Sequence, residues 1–250
     1  MNRIAGVFDT PWFHRRHALR ADGEGMTVTE VADWARAPYD DLVESLAAAA
    51  GGGEEGPPRV LFLAPARHGD GTTTAAAMLG ACLASRGPTI VLELNFRRPG
   101  LAATLGLGEP LGTNGVLYSG DLVLLEREVQ ETELKNLYAL PNHRNSYGQN
   151  GNGRPLPDLR VLGDILRHLR SRFTHVIVDV APVLGYVDTP RLAPLADGIV
   201  LVVAADATPL DASIAARKAL ERSGARVLGA LITRQRRFVP DVIARRLGDN

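Results

Sequence analysis

The feature that most constrains this chain is a regular alternation of short apolar runs with helical segments, starting near residue 60. Runs at Val60–Leu63, Ile90–Leu94, Leu137–Leu140, His175–Asp179, Gly198–Val203 and Val227–Ile232 are rich in Val, Ile and Leu, and several are unbroken by polar residues. A strand with one wet face alternates polar with apolar residues, whereas an unbroken run must be covered on both faces. Between the runs, helices are predicted over Thr73–Ser85, Asp158–Arg172, Asp211–Ser223 and Asp241–Leu247. In the second of these, Leu159, Leu162, Ile165, Leu166 and Leu169 follow i, i+3, i+4 spacing and form one apolar stripe. The fold class expected is therefore α/β: a doubly wound, mainly parallel sheet with helices on both faces.

The first part of the chain reads differently. Residues 1–30 carry no clear periodicity and are expected to form a partly ordered arm with a short amphipathic piece. Val28 to Ala50 mixes helical spacing with a break at Pro38, and Gly51-Gly52-Gly53 ends that element. Glu54 to Pro58 is a turn-rich linker. The expected organisation is an N-terminal helical arm over 1–56 and a strand–helix domain over 57–250. The polar stretch Asn142 to Arg154 reads as a surface loop.

Composition excludes several classes. Twenty-eight basic residues balance 28 acidic ones, so no bulk positive charge draws the chain to nucleic acid. The single cysteine, Cys82, rules out a disulfide framework or a thiolate-rich metal site, and its Ala/Leu-rich surroundings predict a buried core position. The longest apolar run, Ile199 to Ala205, is far too short to span a membrane. The first twenty residues lack the apolar stretch of a secretory signal. A cytoplasmic chain that reaches the membrane through a partner is expected.

The segment Val60 to Ala77 carries the chemistry. A buried-strand pattern runs into His68-Gly69-Asp70-Gly71-Thr72-Thr73-Thr74 and then into a helix of small residues. Glycines let backbone N–H groups converge on an anion, and the helix N-terminus adds partial positive charge. A hydroxyl just inside the helix, here Thr73, can ligate Mg²⁺. On the loop alone, a phosphate cradle over Gly69, Asp70, Gly71, Thr72, Thr73 and Thr74 and a plain strand–helix turn both fit. Two other segments favour the cradle. His175-Val176-Ile177-Val178-Asp179 ends an apolar strand in a carboxylate, the placement that holds Mg²⁺ beside a phosphate loop. Thr89 to Pro99 is a second strand ending in Glu93, Asn95 and an Arg97-Arg98-Pro99 turn. Both strands would deliver these ends to the edge of the sheet where α/β folds bind ligands.

Together these motifs resemble the bacterial tyrosine kinases of exopolysaccharide and capsule biosynthesis, within the ParA/MinD-type P-loop superfamily. The resemblance runs from about Tyr39 to Leu247. Its loop corresponds to His68–Thr74, its second motif to Glu93–Pro99, and its Mg²⁺-associated strand end to Asp179-Val180-Ala181-Pro182. Leu228 to Arg234 is similar to a further family strand, with Thr233 in place of Asn. The resemblance implies a P-loop NTPase-like domain over 57–250, ATP or ADP with Mg²⁺ as cofactors, and Thr73 with Asp179 as metal ligands. It also implies a chain-length-regulating copolymerase of the inner membrane as partner, a homo-oligomer, and no nucleic acid.

The departures from the family fall on chemistry. The phosphate lysine is Thr72, and only Lys135 and Lys218 are lysine among the 28 basic residues. A neutral hydroxyl cannot supply the mobile charge that follows the phosphates to the transition state. Losing one charge-assisted hydrogen bond lowers nucleotide affinity about ten- to hundredfold. The two carboxylates of the second motif have become Glu93 and Asn95, so the catalytic position is degenerate. The family's ring-forming helix would align with Ala37 to Val43, without its glutamate and arginines. All five tyrosines lie at or before Tyr186, so the family's terminal tyrosine cluster is not represented. The expectation is a binding or scaffolding protein with weak or no catalysis. The alternatives are an active autokinase, in which Arg67 or Arg97 replaces the lysine charge, and a ParA/MinD-type positioning ATPase.

Other polar groups have plainer readings. His14 and His17 stand at i, i+3 but lack a third ligand nearby, so a solvated arm is expected. His68 is expected to face solvent. Arg97-Arg98 can bind phosphate, and Arg97 can equally pair with Glu93 or Asp179 within the fold. Arg234, Arg236, Arg237, Arg245 and Arg246 form a basic patch beside Phe238, expected to be a solvated end, the alternative being a docking surface for an acidic partner segment or anionic lipid headgroups.

Overall fold

In the computed structural model, residues 7–9, 37–49, 59–108, 113–142 and 156–234 are described. All six predicted strands form within these segments. In chain order the strands are β1 (Val7–Asp9), β2 (Val60–Pro65), β3 (Thr89–Glu93), β4 (Gln130–Glu131), β5 (Leu137–Leu140), β6 (His175–Asp179), β7 (Gly198–Ala204) and β8 (Val227–Thr233). They build one eight-stranded sheet in the order β1-β8-β7-β2-β6-β3-β5-β4. Every neighbouring pair is parallel except β4 with β5. The helices are α1 (Ala37–Ala49), α2 (Thr72–Ala84), α3 (Leu101–Leu105), α4 (Thr113–Ser119), α5 (Leu122–Glu128), α6 (Leu159–Arg172), α7 (Asp188–Leu192) and α8 (Leu210–Arg222).

The strands alternate between two apolar layers. Leu61 and Leu63 of β2 join Val91, Ile177 and Val202 beneath α1 and α2. Val60, Phe62 and Ala64 of β2 face the other way, with Ile90, Val176 and Leu201, beneath α6 and α8. Each face is thus covered, which is why the sequence runs are unbroken. The predicted stripe on α6 is buried at Leu162, Ile165, Leu166 and Leu169. Cys82 lies in the layer between α2 and the sheet, as expected.

Several elements exceed the sequence expectation. The arm contributes β1, whose three residues pair with Ala230, Leu231 and Ile232 of β8. Three residues cannot display a period, so only pairing reveals them. Pro38 does not interrupt a helix. It stands in the first turn of α1, where its missing N–H has no intrahelical partner to lose. Helices α3, α4, α5 and α7 span only five to seven residues each, too short for a helical period to register. The predicted helix Asp241–Leu247, His14, His17, Arg236, Arg237, Arg245, Arg246 and residues 143–154 lie outside the described residues. No helix among the described residues is long and apolar enough to cross a membrane.

Candidate phosphate-binding site

The order of the strands fixes where a ligand can sit. From β2 the chain crosses to β3 and β5 on one side, and later to β7 and β8 on the other. The connections leaving β2 and its neighbour β6 therefore head to opposite sides and open a crevice at the carboxyl end of the sheet. The loop from Ala66 to Gly71 occupies that crevice and leads into α2.

Two glycines shape the loop. Gly69 and Gly71 have φ of 89° and 83°, a left-handed conformation that any side chain would strain. Gly71 is also the N-cap of α2, so no side chain caps the first turn of that helix. Its free N–H groups and the aligned peptide dipoles face the crevice. Thr72, Thr73 and Thr74 line this cleft of about 190 Å³, together with His68, Asn95, Arg98 and Arg234. The Thr72 hydroxyl is buried, with 6% of the residue exposed, and has no hydrogen-bond partner among the described residues.

Asp70 has a different role from the one its place in the motif implies. Its carboxylate accepts the Arg67 N–H at 2.8 Å and the Thr208 hydroxyl at 2.5 Å. Its carbonyl accepts the Thr233 hydroxyl at 2.6 Å. The side chain thus ties the loop to the segment after β7, and the carbonyl ties it to the end of β8, so of this residue only the backbone N–H is available to an anion. Asp70→Ala removes two accepted bonds at a buried position. We expect a loss of about 2–4 kcal/mol in urea denaturation. Weaker phosphate binding should accompany it, measured by titration calorimetry.

The Thr73 hydroxyl donates to Asp179 Oδ2 at 2.6 Å, so the two predicted metal ligands meet. Asp179 is fully buried and its other oxygen, Oδ1, has no hydrogen-bond partner among the described residues. Burial pushes its carboxyl up to about 8; neighbouring Glu93 adds to the rise and the Thr73 hydroxyl opposes it. Glu93 and Asp179 stand side by side in the β3–β6 register. This orphaned oxygen beside a hydroxyl fits a divalent cation, and the Thr72 hydroxyl with the uncapped helix fits a phosphate chain.

Glu93 does not face the cleft. Its Oε1 accepts the N–H groups of Gly100 at 2.6 Å and Leu101 at 3.0 Å, while Oε2 accepts that of Asn142 at 2.9 Å. It therefore anchors the start of α3 and the end of β5. Burial raises its carboxyl to about 7, against the lowering effect of these three N–H groups. Asn95, two residues on, does line the cleft, and its side chain accepts the Arg98 N–H at 3.3 Å.

The arginines sort unexpectedly. Arg97 pairs with Asp188 at 3.2 Å and stacks on Tyr186 at 3.9 Å, rather than pairing with Glu93 or Asp179. Arg67 is exposed and does not line the cleft, so neither predicted substitute for the lysine reaches it. Arg98 does line it, and its Nη1 donates to His68 Nε2 at 2.6 Å. His68 is thus bound to an arginine across the loop instead of only facing water. Among the groups that brace the site, Thr208 and Asn142 were not singled out from sequence. A threonine or an amide N–H in a connecting stretch carries no periodic signal.

No family model matches the chain. The succinoglycan biosynthesis transport protein ExoP of Rhizobium meliloti is 27% identical over 210 residues, covering 81% of this chain and 24% of ExoP. The chain thus spans about a quarter of that relative's length. The tyrosine-protein kinase YwqD of Bacillus subtilis is 27% identical over 165 residues, 66% of this chain and 67% of YwqD. Among solved structures, the kinase domain of Escherichia coli tyrosine kinase ETK superposes with a TM-score of 0.70 at 20% identity. That match covers 94% of this chain and 92% of the kinase domain. The septum site-determining protein MinD of Pyrococcus horikoshii, complexed with Mg-ADP, gives 0.58 at 19% identity over 76% of this chain and 77% of MinD. The homologues of this chain are bacterial tyrosine kinases of the CpsD/ExoP/YwqD type in exopolysaccharide biosynthesis, and its fold is that of the MinD-like P-loop NTPases.

Proposed function

We propose that this chain is a tyrosine-kinase-like protein that does not transfer phosphate. It acts as a regulator or scaffold of a membrane polysaccharide copolymerase in exopolysaccharide or capsule assembly. It is cytoplasmic and peripheral to the inner membrane through that partner.

The observation that carries this reading is the pairing of a preserved loop with a neutral, buried Thr72 where the transfer chemistry needs a mobile cation. Two further features support it. The Glu93 carboxylate is held away from the cleft by three backbone N–H groups, and the neighbouring cleft position is the neutral Asn95. No ionisable base is then offered to a tyrosine hydroxyl from that strand end. Gly69, Gly71, Thr72 and Thr74 would hold the phosphates of ATP or ADP. Thr73 and Asp179 would hold Mg²⁺, which neutralises phosphate charge when bound.

Incubating the purified chain with Mg·ATP should yield no phosphotyrosine on immunoblots, with or without a tyrosine-rich acceptor. In a producing strain lacking the chain, the reintroduced wild type should restore polysaccharide chain length without phosphotyrosine appearing on it. Mg·ATP-dependent phosphotyrosine would overturn the proposal in favour of an active autokinase.

A further inference from the structure

A loop that has lost its lysine has two fates. Either the cradle is an empty relic, or its anion is neutralised from elsewhere. The lining of the cleft separates them. Its charged side chains are Asp70, Arg98 and Arg234, with His68 beside them. The Asp70 carboxylate is engaged by Thr208 and by the Arg67 N–H. Those bonds turn the carboxylate toward the protein, and two guanidinium groups against one carboxylate leave the lining with a net positive charge.

Their positions are built, not incidental. Arg98 stands on the turn after β3, whose geometry is held by the Asn95 side chain accepting the Arg98 N–H. Its Nη1 then reaches His68 on the loop itself. Because arginine only donates, His68 Nε2 is the acceptor, and the guanidinium is anchored beside the uncapped start of α2. Arg234 reaches the same cleft from the end of β8 in a left-handed conformation, φ 54°, which is rare for a residue with a side chain. The buried Thr72 hydroxyl, without a partner among the described residues, adds a donor to the same lining.

We propose that this cleft binds a diphosphate group, with Arg98 and Arg234 supplying the positive charge that Thr72 cannot. The inference rests on reading the loop as a phosphate cradle, and not on the exopolysaccharide role. A guanidinium grips two phosphate oxygens at once through its planar fork. Anchored by His68, Arg98 holds a resting phosphate chain but does not travel with a phosphoryl group in transfer. The site retains its ligand and does not turn it over. At about 190 Å³ the cleft is smaller than the ~300 Å³ lower bound usual for a drug-sized ligand, and it suits a phosphate chain better than a whole nucleotide. Inorganic diphosphate and the phosphate chain of a nucleotide share this chemistry.

Titration calorimetry of the full chain with inorganic diphosphate, ADP and ATP, each with and without Mg²⁺, tests it. The wild type should bind at least one of them, and a preference for ADP over diphosphate would identify a nucleotide as the source. Arg98→Ala should weaken binding about ten- to hundredfold, and Arg234→Ala should weaken it measurably. Arg98→Lys should recover part of the loss, and Arg67→Ala should bind like the wild type. Unchanged thermal melting of the variants would show that the fold is intact. Binding by the double variant Arg98→Ala/Arg234→Ala within twofold of wild type would overturn the inference. Wild type silent at millimolar ligand, but Thr72→Lys active in binding, would also overturn it while sparing the cradle. Silence of both would overturn the inference and the cradle together. Phosphotyrosine formation, by contrast, would sink only the non-catalytic reading.

Discussion

Replacing Glu93 with alanine should destabilise the protein by about 3–6 kcal/mol, measured as a lowered midpoint in urea at constant m. The side chain is fully buried and accepts three backbone N–H groups from two separate connections. Alanine leaves those donors without a partner, and each buried orphan costs about 1–3 kcal/mol. Against a typical total of about 5–15 kcal/mol, that loss brings the chain near unfolding. Glu93→Gln should be milder, about 1–3 kcal/mol, because its carboxamide still offers one oxygen to Gly100 and Leu101 but turns an NH₂ toward Asn142. Glu93→Asp, one methylene shorter, should fall between them, since it cannot reach both connections. Equal stability of all three variants and the wild type would refute the anchoring role. The binding cleft is not touched by Glu93, so this effect is one of folding.

The second large effect is a dependence of stability on pH that Asp179→Asn abolishes. In the folded protein the Asp179 carboxyl is raised from 3.8 to about 8, so the native state holds this proton more tightly than the unfolded chain. The associated stability is fully present below the unfolded value and is lost as pH rises through about 8. One such group contributes a slope of about 1.4 kcal/mol per pH unit between the two values. Asparagine resembles the protonated acid and still accepts from the Thr73 hydroxyl. Compared by chemical denaturation, the wild type and Asp179→Asn should match near pH 5 to within about 2 kcal/mol. By pH 8.5 the variant should be about 3 kcal/mol or more the stabler. The comparison cancels titrations common to both proteins. Glu93, raised from 4.5 to about 7, contributes a smaller loss of the same sign in both. Parallel curves across the range would show that Asp179 ionises in the native state as freely as in the unfolded chain.

The two predictions concern residues whose roles were unequally legible. Asp179 at the end of an apolar run is visible as a candidate ligand, because strand direction alone places it at the binding edge. Its meeting with Thr73 followed, since both residues lie where adjoining elements begin and end. Glu93 was equally visible, yet its place in a motif suggested the cleft, while its carboxylate turns toward Asn142 and the start of α3. That choice depends on which connection packs beside β3. The connection after β5 is distant in sequence, and α3 is too short to announce itself.

What the sequence determined by itself was local and periodic. The unbroken apolar runs required strands covered twice, the α6 stripe required one buried helix face, and the glycines at 69 and 71 permitted a tight left-handed turn between strand and helix. Each follows from residues within a few positions of one another. The tertiary structure alone decided which side chains share the cleft. Strand order brings the turn after β3 and the end of β8 to the loop after β2, so that Arg98 and Arg234, not Arg67 or Arg97, line the cleft. It also sets Thr208 and Thr233 against Asp70. The reason is physical: periodicity reports which face of an element is buried, whereas the neighbour it is buried against depends on how the crossovers return, and that is a property of the whole sheet.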